Sequence, residues 1–292
     1  MNKNIKLALL GGDARQGCLA RFLADHGFET AAWGMSDSGC IGGAVRCRDP
    51  VSAMASAAAV ILPLPATLDG VTLNSENEER IKLNKILEYA DVPFFGGKLS
   101  ESFRLAASAR KRKVIDYFET ESLQIKNALP TAEGAISIAM QNLKRTLVGA
   151  RAAVIGYGRI GKTLTDLLLR LGARVTVAAR NEQQLAYAQI AGAKTVRIGS
   201  DSSSLKLPDE YDVIFNTVPA GLFDAAQIGK LPENTLLIDL ASPPGGVDFA
   251  AAKEAGIRAI WALSLPGRYA PEDAGRIIGE TLLELFEREG IT

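Results

Sequence analysis

The sequence has little of what metal centres and disulfide frameworks require. Among its 292 residues, three are cysteines and one is a histidine. Cys18, Cys40 and Cys47 are odd in number and form no C-x-x-C pair, and His26 stands alone, so no spacing typical of a metal site occurs. We therefore expect no bound metal and a reducing compartment, for which the cytoplasm is the simplest choice.

Net charge and long apolar runs are also lacking. Lysine and arginine number 33, as do aspartate and glutamate, so the formal net charge is zero. This balance gives no reason to expect a nucleic acid or an anionic membrane as a partner. No apolar run approaches the roughly 18–20 residues that span a bilayer, and the first one stops at Gly11, too short for a signal-peptide core.

Glycines, by contrast, mark an informative stretch at residues 153–161, where a short apolar run ends in Gly-x-Gly-x-x-Gly. An apolar-periodic segment and then a second strand-like run follow, so the glycines fall at the strand-to-helix turn of a βαβ unit. In such a turn Gly156 permits the tight bend, Gly158 lets a pyrophosphate approach the backbone, and Gly161 lets the helix pack on the strand. The helix N-terminus offers free N–H groups to the phosphates. A dinucleotide site is the favoured interpretation, and a tight βα turn without a ligand is the alternative.

The end of the second strand indicates which dinucleotide binds. A site for NAD usually has Asp or Glu about 20 residues beyond the first glycine, where it binds the ribose 2′-hydroxyl. Here Arg180 and Asn181 occupy that place, with no carboxylate before Glu182. Because arginine pairs with a 2′-phosphate that a carboxylate would repel, we predict NADP, a solvated loop arginine being the alternative. The predicted cofactor-binding residues come from the glycine turn and two further strand ends: Gly156, Gly158, Arg159, Ile160, Gly161, Arg180, Asn181, Thr217, Val218 and Pro219.

The chain opens with a βαβ unit of its own, a strand, a glycine turn at residues 11–17, a helix to about His26 and a second strand. The turn lacks the full glycine spacing, and Asp13 and Arg15 stand where a pyrophosphate needs bare backbone. We predict that Arg15 grips a carboxylate of a small anion. The alternative is an N-cap aspartate with a surface arginine.

A second glycine-containing strand end, at residues 96–100, carries Lys98 and Ser100, and the helix that follows contains Arg104. If the strands are parallel, these groups emerge with those of the first turn at the carboxyl edge of the sheet, where α/β sheets bind ligands. We predict Lys98 as a catalytic residue and Ser100 and Arg104 as substrate-binding residues. Ordinary helix capping is the alternative.

Apolar periodicity predicts a helix over residues 76–90. Residues 113–127 begin a crossing between domains, and a helix then starts at Pro130, a position that favours proline. This helix would bridge the domains and put Thr131 and Glu133 into the cleft between them.

The alternation of short strands and helices, with 47% hydrophobic residues, predicts an α/β fold of two Rossmann-like domains with parallel sheets, linked by helices with a cleft between them. We expect a substrate domain at residues 1–127 and an NADP-binding domain at 128–292. Whether helix 272–292 packs back on the first domain stays open. We also expect a homo-oligomer.

Five motifs over nearly the whole chain point to a family: Gly11-Gly12-Asp13-x-Arg15-Gln16, Tyr117-Phe118, Asn127-Ala128-x-Pro130-Thr131-Ala132-Glu133-Gly134, Val154-Ile155-Gly156-x-Gly158-Arg159-Ile160-Gly161 and Leu265-Pro266-Gly267-x-x-Ala270-Pro271. In these the sequence resembles the A subunit of dipicolinate synthase from spore-forming bacteria. The resemblance implies an oxidoreductase of the mother-cell cytoplasm that makes pyridine-2,6-dicarboxylate from a dihydropyridine precursor, working with a flavoprotein-like B subunit. The adenosylhomocysteinase and 2-hydroxy-acid dehydrogenase group is a more distant resemblance.

The residues favour the first resemblance over the second. Hydroxy-acid dehydrogenases need a histidine as acid or base, and His26 lies at the end of a helix, away from the strand edge. Oxidation of a dihydropyridine needs cations for two carboxylates and a proton acceptor, for which Glu133 is our hypothesis. Two alternatives stay open: a non-catalytic NADP-binding regulatory or scaffold subunit, and an enzyme like shikimate dehydrogenase, whose Lys/Asp pair we cannot assign here.

Overall fold

The structure is a computed structural model that describes residues 5–35, 42–76, 80–199, 201–207 and 210–291. Its contacts divide the chain into two units, Met1–Asn127 with Pro266–Thr292, and Ala128–Leu265. Each unit contains a six-stranded parallel sheet with helices. The predicted fold class of two Rossmann-like α/β domains with parallel sheets is confirmed. In the described part of the chain, no helix combines the length and the apolar character that crossing a bilayer requires.

The first sheet has the strand order β3-β2-β1-β4-β5-β6. Its strands are β1 (Lys6–Leu10), β2 (Glu29–Trp33), β3 (Val45–Arg46), β4 (Ala59–Ile61), β5 (Phe94–Gly96) and β6 (Val114–Asp116). The helices among and after these strands are α1 (Ala14–Asp25), α2 (Pro50–Met54), α3 (Leu83–Ile86), α4 (Glu101–Ala109) and α5 (Glu121–Asn142), with a 3₁₀ turn at Tyr117–Glu119. Helix α5 contains the boundary between the two units, which falls between Asn127 and Ala128. Strand β1 lies between β2 and β4, so successive strands are added on one side of β1 and then on the other. The carboxyl end of β1 is therefore the point where the direction of the strand order reverses.

Both faces of the first sheet are buried, which explains the continuous apolar run of β1. Leu7 and Leu9 contribute to the core on the face covered by α1, while Ala8 and Leu10 contribute to the core on the opposite face, with Phe103 of α4. The alternation of a strand thus supplies two cores from one run of residues.

The helix predicted over residues 76–90 is wrong in extent. Helix α3 covers only four residues, and residues 77–79 lie outside the described part of the chain. Isolated antiparallel bridges join Thr67 to Leu73 and Thr72 to Lys82, so the backbone before α3 is extended. The cause is a turn at Asp69, whose Oδ1 accepts hydrogen bonds from the backbone N–H groups of residues 71 and 72 at 2.9 and 2.7 Å.

The helix start predicted at Pro130 is also wrong, whereas the crossing predicted to begin within residues 113–127 stays a prediction. Residues 114–116 form β6, the edge strand of the first sheet, and α5 begins at Glu121, so that Pro130 lies inside it. Proline has no N–H for the preceding helical turn. The helix continues because Leu123, Ala128 and other apolar residues on both sides of the proline are buried.

The second sheet has the strand order β12-β11-β10-β7-β8-β9. Its strands are β7 (Arg151–Ile155), β8 (Arg174–Ala179), β9 (Lys194–Arg197), β10 (Val213–Asn216), β11 (Leu236–Asp239) and β12 (Arg258–Trp261). The remaining helices are α6 (Arg159–Arg170), α7 (Glu182–Ile190), α8 (Ala225–Ile228), α9 (Phe249–Glu254), α10 (Leu265–Tyr269) and α11 (Pro271–Glu289). Strand β7 lies between β8 and β10, and this reversal of order opens a crevice at the carboxyl ends, where α/β sheets bind ligands.

The closing helix α11 belongs to the first unit, so the second unit ends at Leu265 and not at the end of the chain. Its apolar residues Ile277, Ile278, Leu282 and Phe286 share a core with Leu19 and Leu23 of α1. Two glycines permit the close approach: a Cβ at Gly275 would lie 2.8 Å from the backbone oxygen of Arg15, and a Cβ at Gly279 would overlap the ring of Phe22.

Gly275→Ala should therefore destabilise the first unit. The new methyl group would meet rigid backbone of α1, and overpacking of this kind costs about 1–3 kcal/mol, more than the ~0.5–1 kcal/mol that alanine gains over glycine in a helix. Gly279→Ala is the matched control, because the partly exposed ring of Phe22 can turn aside. Thermal unfolding of both variants is the measurement, and an equal or smaller loss for Gly275→Ala would contradict the packing argument.

Candidate functional site

A cavity of about 400 Å³ opens at the carboxyl edge of the second sheet. It is lined by the glycine turn after β7, by the ends of β8 and β9, and by the segment after β10: Gly156, Tyr157, Gly158, Ala179, Arg180, Asn181, Gln184, Ile198, Gly199, Thr217, Val218, Pro219, Ala220 and Leu222. Seven of the ten predicted cofactor residues are among them. Arg159, Ile160 and Gly161 lie in the first turn of α6, behind this lining.

The three glycines have three different surroundings. Gly156 has φ +92°, a left-handed conformation, and a Cβ there would overlap Thr217 Oγ1. A Cβ at Gly161 would overlap the carbonyl oxygen of Gly156, so only glycine lets α6 approach the turn. A Cβ at Gly158 would meet no atom within 4 Å and would project into open space. This open space beside a helix N-terminus fits the pyrophosphate of a dinucleotide.

Gly158→Val should abolish dinucleotide binding with little loss of stability. The valine side chain would fill the space that the pyrophosphate requires, yet no protein atom lies close enough to be displaced. Titration of the variant with NADPH, followed by fluorescence, measures binding, and thermal unfolding measures stability. Normal NADPH affinity in a folded variant would show that the turn is structural only.

Cations surround the end of β8. Arg180 is exposed, and Asn181 caps α7, its Oδ1 accepting a hydrogen bond from the N–H of Gln183 at 2.8 Å. A second cavity of about 540 Å³ shares Arg180 with the first and adds Arg197 and Lys206 to its lining. The strand register explains Arg197, since it pairs with Ala179, the residue before Arg180. Neither additional cation was predicted from the sequence, because both come from the neighbouring strand and the segment that follows it.

A buried hydrogen-bond network supports the other side of the cavity. Asn216, at the end of β10, is fully buried and donates from Nδ2 to Asp239 Oδ1 at 2.8 Å and to the oxygen of Val218 at 3.0 Å. Asp239 also accepts from the N–H groups of residues 241 and 246. Thr217 donates from Oγ1 to the oxygen of Ile155 at 2.8 Å, which ties the segment after β10 to β7. Asn216 and Asp239 therefore support the cavity wall although neither lines the cavity, whereas Thr217 both lines it and ties it to β7.

At the corresponding edge of the first sheet, Asp13 and Arg15 form a closed pair. Asp13 caps α1 and accepts hydrogen bonds from Arg15 Nε at 2.9 Å and Nη2 at 2.7 Å, and Nη2 also donates to the oxygen of Leu64 at 2.7 Å. Arg15 is only 6% exposed. The capping role of Asp13 is thus present, but its arginine is buried instead of lying at the surface. A Cβ at Gly267 would lie 2.5 Å from Asp13 Oδ2, so α10 covers the pair.

Lys98 lies in a strained turn at the end of β5. Its φ of +52° is left-handed, and its Nζ lies 5.1 Å from the centroid of the Phe118 ring. Although Lys98 is an exposed residue, partial desolvation of its amine, followed by the nearby charge of Arg15, lowers the pKa of Lys98 below the usual lysine value, and the charge of Asp116 opposes this change. Its amine is therefore held among charged and aromatic groups, an environment typical of functional sites.

The remaining predicted groups have structural contacts. Ser100 caps α4, its Oγ accepting from the N–H of Phe103 at 3.4 Å, as the capping alternative required. Arg104 pairs with Asp116 at 2.8 Å and with Glu119 at 2.7 Å. Burial raises the pKa of Asp116, against the hydrogen bonds that it accepts. The substrate-binding roles of Ser100 and Arg104 stay predictions.

Thr131 and Glu133 lie within α5, where Thr131 is buried and Glu133 exposed. Their predicted roles stay predictions too. His26 ends α1, with Nδ1 2.7 Å from the oxygen of Phe22 and its ring 4.0 Å from that of Phe22. Cys40 lies outside the described residues, and the described ones contain no group of three or more His, Cys, Asp or Glu that could hold a metal ion.

The second unit has a parallel sheet whose glycine turn follows β7, the strand at which the strand order reverses. This arrangement defines the unit as a dehydrogenase-type dinucleotide-binding domain. In agreement, residues 126–244 match the family described as "D-isomer specific 2-hydroxyacid dehydrogenase, NAD binding domain". Residues 6–118 match the family described as the N-terminal domain of the A subunit of dipicolinate synthase.

Similarity to known proteins extends over the whole chain. The A subunit of dipicolinate synthase from Bacillus subtilis is 34% identical over 98% of this chain and 97% of its own length. The crystal structure of the A subunit of dipicolinate synthase from Bacillus halodurans matches with a TM-score of 0.83 at 30% identity, covering 96% of this chain and 97% of that one. The NADP-dependent alcohol dehydrogenase C 1 from Mycolicibacterium smegmatis is 33% identical over 32% of this chain and 28% of its own length.

The chain belongs to the family of dipicolinate synthase A subunits. It is an oxidoreductase-type subunit that uses a nicotinamide cofactor.

Proposed function

We propose that this chain oxidises a dihydrodipicolinate-type intermediate to pyridine-2,6-dicarboxylate with NADP, as the A subunit of a dipicolinate synthase in spore formation. The observation that carries the proposal is the full-length similarity to the Bacillus subtilis protein of that name, which includes both domains. A flavoprotein-like B subunit is its proposed partner, and the mother-cell cytoplasm its proposed location.

The reaction requires removal of a hydride from one ring carbon and a proton from another, after which the ring is aromatic. NADP, when bound, takes the hydride. Lys98 supplies positive charge for one carboxylate, and Arg15, which is paired with Asp13 in the structure, would bind the other in exchange for that partner. Ser100, Arg104 and Thr131 are further proposed substrate contacts, and Glu133 is the proposed proton acceptor. Holding the ring in one orientation is the main task of these residues, because aromatisation itself drives the reaction.

The proposed preference for NADP rests on the cations at the end of β8. Arg180 and Lys206 border one cavity, and Arg197, paired with Glu182 at 2.6 Å, borders the same cavity. No aspartate or glutamate lines it among the described residues. A 2′-phosphate is stabilised by such an environment, whereas the 2′-hydroxyl of NAD gains little from it.

Arg180→Ala should remove most of the preference for NADP. The unmutated protein should bind NADP ten- to a hundredfold more tightly than NAD, roughly 1.5–3 kcal/mol of charge-assisted hydrogen bonds. NAD binding should hardly change. Arg174→Ala, at the opposite end of β8, is the control and should keep the ratio. Calorimetric titration with both dinucleotides gives the affinities, and equal affinities in the unmutated protein would refute NADP specificity.

Lys98→Met should lower kcat/KM for the dicarboxylate roughly a hundredfold, as expected for loss of a charge-assisted contact of about 1.5–3 kcal/mol. The substitution keeps the length of the side chain and leaves the second domain untouched, so NADP affinity should stay. Lys111→Met is a matched control, since Lys111 is an exposed lysine with a similar φ of +56°. An unchanged kcat/KM in Lys98→Met would exclude Lys98 from the site.

The same pair of variants tests pH dependence. Because the pKa of Lys98 is lowered, its ammonium loses the proton at a lower pH than an ordinary lysine does. Dicarboxylate binding that needs the charge is therefore present below that pH and lost as the pH rises through it. The alkaline fall of kcat/KM should disappear in Lys98→Met and persist in Lys111→Met.

One experiment tests the activity itself. Freshly made 4-hydroxy-tetrahydrodipicolinate, which gives the dihydropyridine by loss of water, is incubated with the chain and NADP, with and without a B subunit. Pyridine absorbance and NADPH formation are followed together. Equal amounts of both products support the proposal. Tight NADP binding without turnover under either condition would contradict it in favour of a non-catalytic, cofactor-binding subunit.

A further inference from the structure

Asp116, the last residue of β6, is a buried carboxylate that four donors surround. Its Oδ1 accepts hydrogen bonds from the backbone N–H groups of Lys98 and Phe118, each at 3.0 Å. Its Oδ2 accepts from the N–H of Leu99 and from Arg104 Nη2, each at 2.8 Å. The side chain is 4% exposed. A carboxylate has about four acceptor positions, and these four donors, from residues 98, 99, 104 and 118, occupy all of them.

The bonds of Asp116 hold a backbone conformation that lysine adopts only at a cost. A left-handed residue with a Cβ costs roughly 1–2 kcal/mol, whereas glycine adopts the same φ freely. Two charge-assisted bonds, from the N–H groups of Lys98 and Leu99 to the carboxylate of Asp116, offset that cost. Strained backbone held by its surroundings is typical of functional sites. The turn thus has a lysine at a backbone conformation that glycine would adopt at a lower free energy.

One oxygen fixes both members of a cation–π pair. The backbone N–H groups of Lys98 and of Phe118 bond to the same atom, Asp116 Oδ1, and the ammonium of Lys98 lies over the ring of Phe118. The strand register makes this possible, because Asp116 pairs with Gly96, two residues before Lys98. Asp116 therefore fixes the two backbone positions from which the lysine side chain and the ring extend.

We infer that Asp116 is a positioning residue, which holds the Lys98 turn so that the ammonium of Lys98 meets a carboxylate of the substrate. The inference rests on the proposed function for the role of Lys98. Asp116 also balances charge: Arg15 and Lys98 are cations close enough to affect each other, and Asp116 is the buried anion beside Lys98. Substrate contact belongs to Lys98, and Asp116 acts through it.

A double-mutant cycle tests the inference. Asp116→Asn keeps the shape but turns an amide hydrogen toward Leu99 or Arg104, so the turn should loosen. We expect kcat/KM for the dicarboxylate to fall tenfold or more in Asp116→Asn, and by less than twofold when the same change is made in Lys98→Met. NADPH affinity should stay, which shows that the second domain is folded. Glu119→Gln is the control, since Glu119 shares Arg104 but makes no bond to the Lys98 turn.

Hydrogen exchange supplies a readout that does not need activity. The amides of residues 98, 99 and 118 should exchange faster in Asp116→Asn and at the normal rate in Glu119→Gln. If Asp116→Asn does not fold, Asp116→Glu replaces it throughout the cycle, because the longer side chain displaces the oxygens while keeping the charge.

The outcomes separate two failures. An unchanged kcat/KM in Lys98→Met alone means that the proposed role of Lys98 is wrong. If Lys98→Met loses activity but Asp116→Asn costs the same factor in both backgrounds, or costs nothing, Lys98 keeps its role and the positioning inference is overturned. Unchanged exchange at residues 98, 99 and 118 overturns it as well.

Discussion

The second domain depends on the contact between α6 and the turn at the end of β7. At Gly161 the helix approaches so closely that any side chain would overlap the carbonyl oxygen of Gly156. This closeness places the N-terminus of α6 at the carboxyl edge of the sheet, beside the open space at Gly158. The bond from Thr217 Oγ1 to Ile155 then brings the segment after β10 to the same place. A bare backbone surface for phosphates follows from one steric constraint.

The first domain has the same architecture, but charged side chains instead of bare backbone lie at the end of its central strand. Its order also reverses at the end of the central strand, β1, but side chains occupy the turn instead of open space. Asp13 and Arg15 neutralise each other there under α10, and at the end of β5 a buried aspartate organises a lysine. Charged side chains select a small, charged ligand, whereas free N–H groups accept any phosphate. One fold, repeated, thus has two chemically different sheet edges, one of bare backbone and one of charged side chains.

The sheets and the glycine turn could be predicted from sequence because each depends on local pattern. Strands buried on both faces are continuous apolar runs, and the glycine motif acts through backbone that the sequence specifies directly. The short extent of α3 could not be predicted from periodicity. Ile81, Leu83 and Ile86 are buried by a bridge and a short helix as well as they would be by a long helix, and Asp69 organises the turn before them.

Contacts between residues on neighbouring strands could not be predicted from the sequence either. Asp116 meets the Lys98 turn through the pairing of β5 with β6, and Arg197 meets the end of β8 through the pairing of β8 with β9. Their sequence neighbours give no sign of either meeting. The sequence singled out Asp13 and Arg15. It did not predict that the oxygen of Leu64 bonds to Arg15 or that Gly267 packs against Asp13, because both residues are distant in sequence.

The return of α11 to the first domain has a consequence for biosynthesis. Residues 128–265 form a contiguous unit and can fold as soon as they leave the ribosome. The first domain, although synthesised earlier, lacks the helix that covers Leu19 and Leu23 until α11 (Pro271–Glu289) is made. Its apolar face stays open during all of that time, and an interrupted translation product retains it. The domain whose translation begins first is therefore completed after the second one.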